Sequence, residues 1–177
     1  LTSGAGGTVL PDGLYTVTLE VFDNANNREA STISRTIMID NTPPVTAFSA
    51  FVEGAGAQYQ QAVGSIMYFN PAQSGSFGVQ MTATDTGGTG VANVTFPAMS
   101  ATGWSGGVGA DTTSPYQSPS NYAWTGSVGT PAGTPGLMTA TGYDNAGASS
   151  TAGFTVSPDT GKPVAGSISY VNRFTSN

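Results

Sequence analysis

The sequence predicts an all-β fold, built as a sandwich or a barrel. Three observations carry that prediction. Apolar and polar residues alternate with period two in stretch after stretch, no window keeps the 3.6-residue apolar period of a helix, and Gly, Pro, Ser and Thr break the chain at short intervals. The first alternating stretch is Tyr15-Thr16-Val17-Thr18-Leu19-Glu20-Val21, apolar at odd positions and polar at even ones, which reads as a half-buried strand. Pro11-Asp12-Gly13 opens it as a turn. Asp23-Asn24-Ala25-Asn26-Asn27 forms a hairpin loop, because Asn tolerates left-handed backbone. A strand over 36–39 follows, with Ile37 and Ile39 on one face. Further strands are expected over 46–51, 65–69, 76–84, 91–96, 121–125, 137–143 and 151–157.

Composition narrows the functional classes. Of the 177 residues only 8% are charged, against about 25% in an average soluble domain. The surface must therefore be largely neutral and rich in hydroxyls and amides. The net charge of −6 and the scatter of Arg28, Arg35, Lys162 and Arg173 argue against nucleic acid and against attachment to anionic lipid. No apolar run approaches the ~18–20 residues of a spanning helix, so direct membrane insertion is not expected. The chain contains no Cys and no His, which excludes disulfides, thiolate metal sites and any Ser-His-Asp or Cys-His catalytic arrangement within it. Leu1 opens directly into a Gly/Thr stretch rather than a signal sequence, so an internal segment is expected.

A repeat organises the chain. Phe22-Asp23-Asn24-Ala25-Asn26 returns as Tyr143-Asp144-Asn145-Ala146-Gly147, a spacing of 121 residues between Asp23 and Asp144. After each comes a short β run and then a Pro-containing boundary, Asp40-Asn41-Thr42-Pro43-Pro44-Val45 or Asp159-Thr160-Gly161-Lys162-Pro163-Val164. Pro44 and Pro163 are 119 residues apart. The division that follows is 1–44 as the last strands of a preceding module, 45–163 as a complete module and 164–177 as the first strand of a following one. A 44-residue piece with two clear strands cannot close a sandwich, since its apolar face has nothing to pack against.

These segments resemble bacterial Ig-like tandem-repeat domains, the modules of large secreted or surface proteins of actinobacterial type. The matching residues are Asp12-Gly13-Leu14-Tyr15-Thr16-Val17, the Asp23 loop and Asp40-Asn41-Thr42-Pro43-Pro44. Within the complete module they are Ala83-Thr84-Asp85, the run from Gly90 to Pro97, the run from Asp111 to Tyr116, and Tyr122-Ala123-Trp124. One departure is that Thr134-Pro135-Gly136-Leu137 stands where the first fragment has Asp12-Gly13-Leu14-Tyr15, so the complete module lacks the corner tyrosine. The resemblance implies Ig-like antiparallel β-sandwich modules in tandem. It also implies an extracellular or cell-surface location and a non-catalytic role as stalk, spacer, adhesive module or filament component. Neighbouring modules, in the same or adjacent chains, are the expected partners, beside a glycan or other surface ligand.

Two kinds of site deserve weighing. Asp23, Asp40, Asp85, Asp144 and Asp159 recur in loops and at module boundaries, where Ca²⁺ could collect oxygen ligands. No D-x-D-x-D-G spacing is present, and each Asp can equally stabilise its own turn. No other cofactor is expected, and no catalytic residues are assigned. A carbohydrate-binding role is the alternative reading, and it requires Trp104 and Tyr116, with Tyr122 nearby, to be exposed on one face as a stacking platform. The competing assignment puts Trp124 in the core between sheets, while Trp104, flanked by Gly103 and Gly106-Gly107, is left open between an exposed loop position and a cap on the core.

Overall fold

The computed structural model describes residues 2–3 and 8–162; the strand expected over 164–177 lies outside them. In chain order the strands are β1 (Thr2–Ser3), β2 (Thr8–Val9), β3 (Gly13–Leu19), β4 (Ile33–Ile39), β5 (Val45–Glu53), β6 (Gln60–Val63), β7 (Ile66–Phe69) and β8 (Ser74–Thr84). They continue with β9 (Val91–Phe96), β10 (Trp104–Ser105), β11 (Gly109–Asp111), β12 (Tyr116–Gln117), β13 (Tyr122–Thr125), β14 (Gly136–Asp144) and β15 (Ser149–Pro158). A short helical turn, Ala57–Tyr59, links β5 to β6. The protein is all-β, as the alternation requires.

Residues 45–162 form a β-sandwich. One sheet is organised on β8, which pairs with β5 along one edge and with β13 and then β12 along the other; β10 extends it beyond β13. The second sheet runs β11-β9-β14-β15-β7-β6, antiparallel except for the parallel pair β15–β7. Alternation sends Phe77, Val79 and Met81 of β8, Val94 and Phe96 of β9, and Phe154 and Val156 of β15 into one shared core with Met67 and Phe69. At about 25 cal/mol per Å² of apolar area, this burial between sheets is the principal stabilising term.

The aromatic cluster fills the sandwich. Trp104 and Trp124 sit opposite each other on β10 and β13, with ring centroids 5.6 Å apart, and both lie near Phe69 and Phe77. Each buried polar handle finds an acceptor: the Trp104 indole N–H donates to the Gly133 carbonyl at 2.8 Å, and that of Trp124 to the Asn70 carbonyl at 3.1 Å. The Tyr122 hydroxyl donates to the Pro97 carbonyl at 2.7 Å, and burial pushes its pKa well above the usual tyrosine value.

The first fragment holds the short β1–β2 pair and a separate two-stranded hairpin, β3 with β4. Its Tyr15 hydroxyl reaches back to the Pro11 carbonyl at 2.9 Å, the bond of a corner tyrosine. The expectation of a half-buried strand here needs correction. Leu14, Val17 and Leu19 of β3 and Ile33 of β4 are exposed, because within the described residues no second sheet covers the hairpin. At the other end Ile39 and Pro44 are buried, so the chain enters the sandwich through an anchored linker.

Candidate functional site

The linker meets the sandwich at a group of three carboxylates. Asp40 leaves the end of β4, Asp85 follows β8, and Asp144 ends β14. One carboxylate oxygen from each lies within 4.8 Å of the others. Three segments distant in sequence are thus brought together by sheet topology: the boundary strand, the β8–β9 loop and the β14–β15 hairpin.

Local sequence aims each carboxylate. Asp144 opens the repeated Asp-Asn-Ala turn, and its Oδ1 accepts the amides of Ala146 at 2.9 Å and Ala148 at 2.8 Å. A register shift between Tyr143 and Asp144 re-aims the side chain at the strand end. Asp85 Oδ2 accepts the Gly90 amide at 2.7 Å, and Gly90 takes the positive φ of 84° that this loop needs. Asp40 Oδ2 accepts both the hydroxyl and the amide of Thr89, each at 2.7 Å. Those two bonds, the hydroxyl foremost and the amide second, hold the Asp40 carboxyl below the ordinary Asp range.

The remaining oxygens are the informative ones. Asp144 is only 3% exposed, and its Oδ2 has no hydrogen-bond partner; neither has the buried Oδ1 of Asp85. Buried polar atoms are nearly always satisfied, so two orphan carboxylate oxygens in one acidic group call for an explanation. No basic side chain supplies it: among the described residues the single ion pair is Arg28–Glu20, on the exposed hairpin. Gly88 flanks the group, and a Cβ there would clash with the Asp85 carboxylate and come within 2.7 Å of Asp40 Oδ2.

The same junction is stapled from its other side. Asp12 Oδ2 accepts the Thr42 hydroxyl and its Oδ1 the Asn41 amide at 2.6 Å; these bonds, the hydroxyl foremost, lower the Asp12 pKa. Asn145 donates from its side chain to the carbonyls of Thr89 and Gly90, tying the hairpin to the β8–β9 loop.

Of the five aspartates singled out from sequence, the fold gathers Asp40, Asp85 and Asp144. Asp23 and Asp159 are not in the group; Asp23 closes its own turn through the amides of Ala25 and Asn27, both at 2.8 Å, and Asp159 takes the Gly161 amide at 2.9 Å. Thr89 and Gly88 escaped the sequence reading, since neither carries a recognisable motif; the one available signal was the cluster Gly87, Gly88 and Gly90 after Asp85. The platform required for sugar stacking is not formed by the residues proposed for it: Trp104 is 9% exposed, Tyr116 6% and Tyr122 0%. All three are core residues, drawn in because large aromatics gain most from burial between the sheets. A surface depression of about 300 Å³ lies elsewhere, lined by Tyr59, Tyr68, Gln58, Gln61 and Asp159.

No protein-family model matches the chain, and the search of curated proteins finds no significant match.

Proposed function

We propose that this protein is a non-catalytic structural module of an Ig-like tandem array, serving as stalk, spacer or filament component outside the cell or on its surface. The observation that carries the reading is a hairpin present twice. β3–β4 pairs Leu19 with Ile33, and β14–β15 pairs Ala140 with Ala152, which are the positions that the 121- and 119-residue offsets make equivalent. Both hairpins turn at an Asp that accepts the amides two and four residues on, and both place a positive φ three residues after it, at Asn26 and Gly147. The second hairpin is built into a full sandwich, whereas the first exposes its apolar side chains. A hairpin of that kind is stable once the rest of its own sandwich covers it.

Strand order supports the Ig-like part of the reading. The sheet containing β5-β8-β13-β10 and the run β9-β14-β15 correspond to a four-plus-three division like that of an Ig domain, with β6, β7, β11 and β12 as short additions. Lack of His and Cys, together with acids engaged in turns, favours a structural role over catalysis. The extracellular placement rests on the family resemblance of the boundary motifs and on the uncharged, hydroxyl-rich composition.

The test is size-exclusion chromatography with light scattering on the whole chain beside residues 45–163. The proposal expects a folded monomer from the shorter chain, and in the longer one a protease-sensitive first hairpin that becomes protected when the preceding module is supplied. If the whole chain polymerises while the shorter one stays monomeric, the filament form of the proposal holds. A shorter chain that does not fold cooperatively sinks the module boundary at Val45, and with it the tandem reading.

A further inference from the structure

We propose that Asp40, Asp85 and Asp144 bind a Ca²⁺ ion that clamps the linker to the end of the sandwich. The argument starts from the orphan oxygens. A carboxylate oxygen buried without a donor keeps its desolvation penalty, and here two such atoms share a group with a third carboxylate, with no ammonium or guanidinium among the described ion pairs to balance them. A cation removes both penalties together.

The arrangement of donors also separates ligands from supports. On Asp144 the Oδ1 atom is held by two amides and on Asp85 the Oδ2 atom by one, which leaves the opposite oxygen of each unengaged. This is how metal-ligating carboxylates are oriented by their surroundings. An oxygen-only donor set in a chain without His or Cys suits a hard cation. Loops of adjustable geometry, able to admit carbonyl and water oxygens, suit Ca²⁺ better than Mg²⁺, which demands a near-ideal octahedron. Gly88 completes the picture, since a side chain there would enter the space beside two of the carboxylates.

The ion would join the linker, through Asp40, to both loops at that end of the sandwich, through Asp85 and Asp144. This site is contained in the described residues and does not depend on the tandem reading. That reading would add a counterpart at the next boundary, where Asp159 accepts the amide two residues on, as Asp40 does from Thr42.

The experiment is calorimetric titration of the whole chain with CaCl₂ after EDTA treatment and dialysis, with thermal unfolding in parallel. Binding of one Ca²⁺ per chain is expected, with a dissociation constant of about 10⁻⁴–10⁻³ M as in extracellular modules, and a midpoint raised by Ca²⁺, lowered again by EDTA and little changed by Mg²⁺. Asp85→Asn should weaken binding at least about tenfold yet be no less stable than the parent in EDTA, because it removes one of three repelling charges. Gly88→Ala tests the same site with the charge unchanged and should also weaken binding, while Glu53→Gln, on β5 away from the group, should bind as the parent does. Absence of heat and of any midpoint shift at about 10 mM Ca²⁺ overturns the proposal. So does parental binding by both Asp85→Asn and Gly88→Ala; if one of them fails to fold, the other decides.

Discussion

Trp124 is the residue whose surroundings most constrain the sandwich. It is 1% exposed, packs against Phe69, Phe77 and Trp104, and donates to Asn70. Trp124→Ala is expected to cost about 3–5 kcal/mol in denaturant unfolding, from the lost burial and the cavity left behind. Gly75 on β8 makes the converse point, since a Cβ there would clash with the Trp124 ring. Gly75→Ala should therefore destabilise by about 1–3 kcal/mol through overpacking. Recovery of that loss in a Gly75→Ala, Trp124→Phe double variant would confirm the contact, and additive losses would refute it. Asp23 offers a test by titration. Its carboxyl is held below the ordinary value of 3.8, first by the Asn27 side chain and then by the Asn27 amide. A depressed folded pKa means that the stabilisation is complete above the unfolded value and is lost as pH falls through the folded one. NMR titration of the Asp23 carboxyl should give a midpoint below 3.8, moving back towards it in Asn27→Ala; an unshifted midpoint in the parent removes the turn assignment.

At the scale of elements, the two hairpins are one design in two environments. Their strand ladders correspond, except for a two-residue shift near the tip of the first; β15 is also bonded to β7 and β14 to β9, whereas β3 and β4 are paired only with each other among the described residues. A two-stranded ribbon is marginal alone, so its backbone bonds should open locally while those of β14–β15 open only with the sandwich. Hydrogen exchange is expected to show slow amides in β14–β15 and at least about a hundredfold faster exchange at the equivalent positions of β3–β4. Equal protection of the two would mean that the first hairpin is stabilised from a source other than its own module. β8 shows how a strand gains importance from position: its 11 residues pair on both edges, so every other strand of its sheet except β10 bonds to it directly.

For the whole molecule, the junction decides mechanical behaviour. Pro44 is buried, Asp40 is bonded to Thr89 and Asp12 to Asn41 and Thr42, so the linker is held from both sides before any ion is considered. Pro43-Pro44 adds fixed φ and two missing backbone donors, which suits a stiff connection rather than a free tether. Residues 45–163 in EDTA are expected to unfold in a single transition within about 1 kcal/mol of the main transition of the whole chain, because the core lies entirely in that module. A much larger loss would show that the hairpin is an integral part of the sandwich.

The sequence by itself determined the fold class and most strands, because alternation and turn residues are local signals. Strand 91–96 was legible to the residue, while β1, β2, β6, β10, β11 and β12 were not, being two to four residues long and defined by the strands beside them rather than by any pattern of their own. Tertiary structure decided what each candidate residue became. It buried Trp104 and Tyr116, which loop composition had left open, because neighbouring strands enclose them. From five look-alike aspartates it joined three whose oxygens meet at one junction, and it left Asp23 and Asp159 out of that group. Turn chemistry acts between neighbours in the chain, whereas a shared site depends on distances between Asp40, Asp85 and Asp144 that only the packed sheets establish.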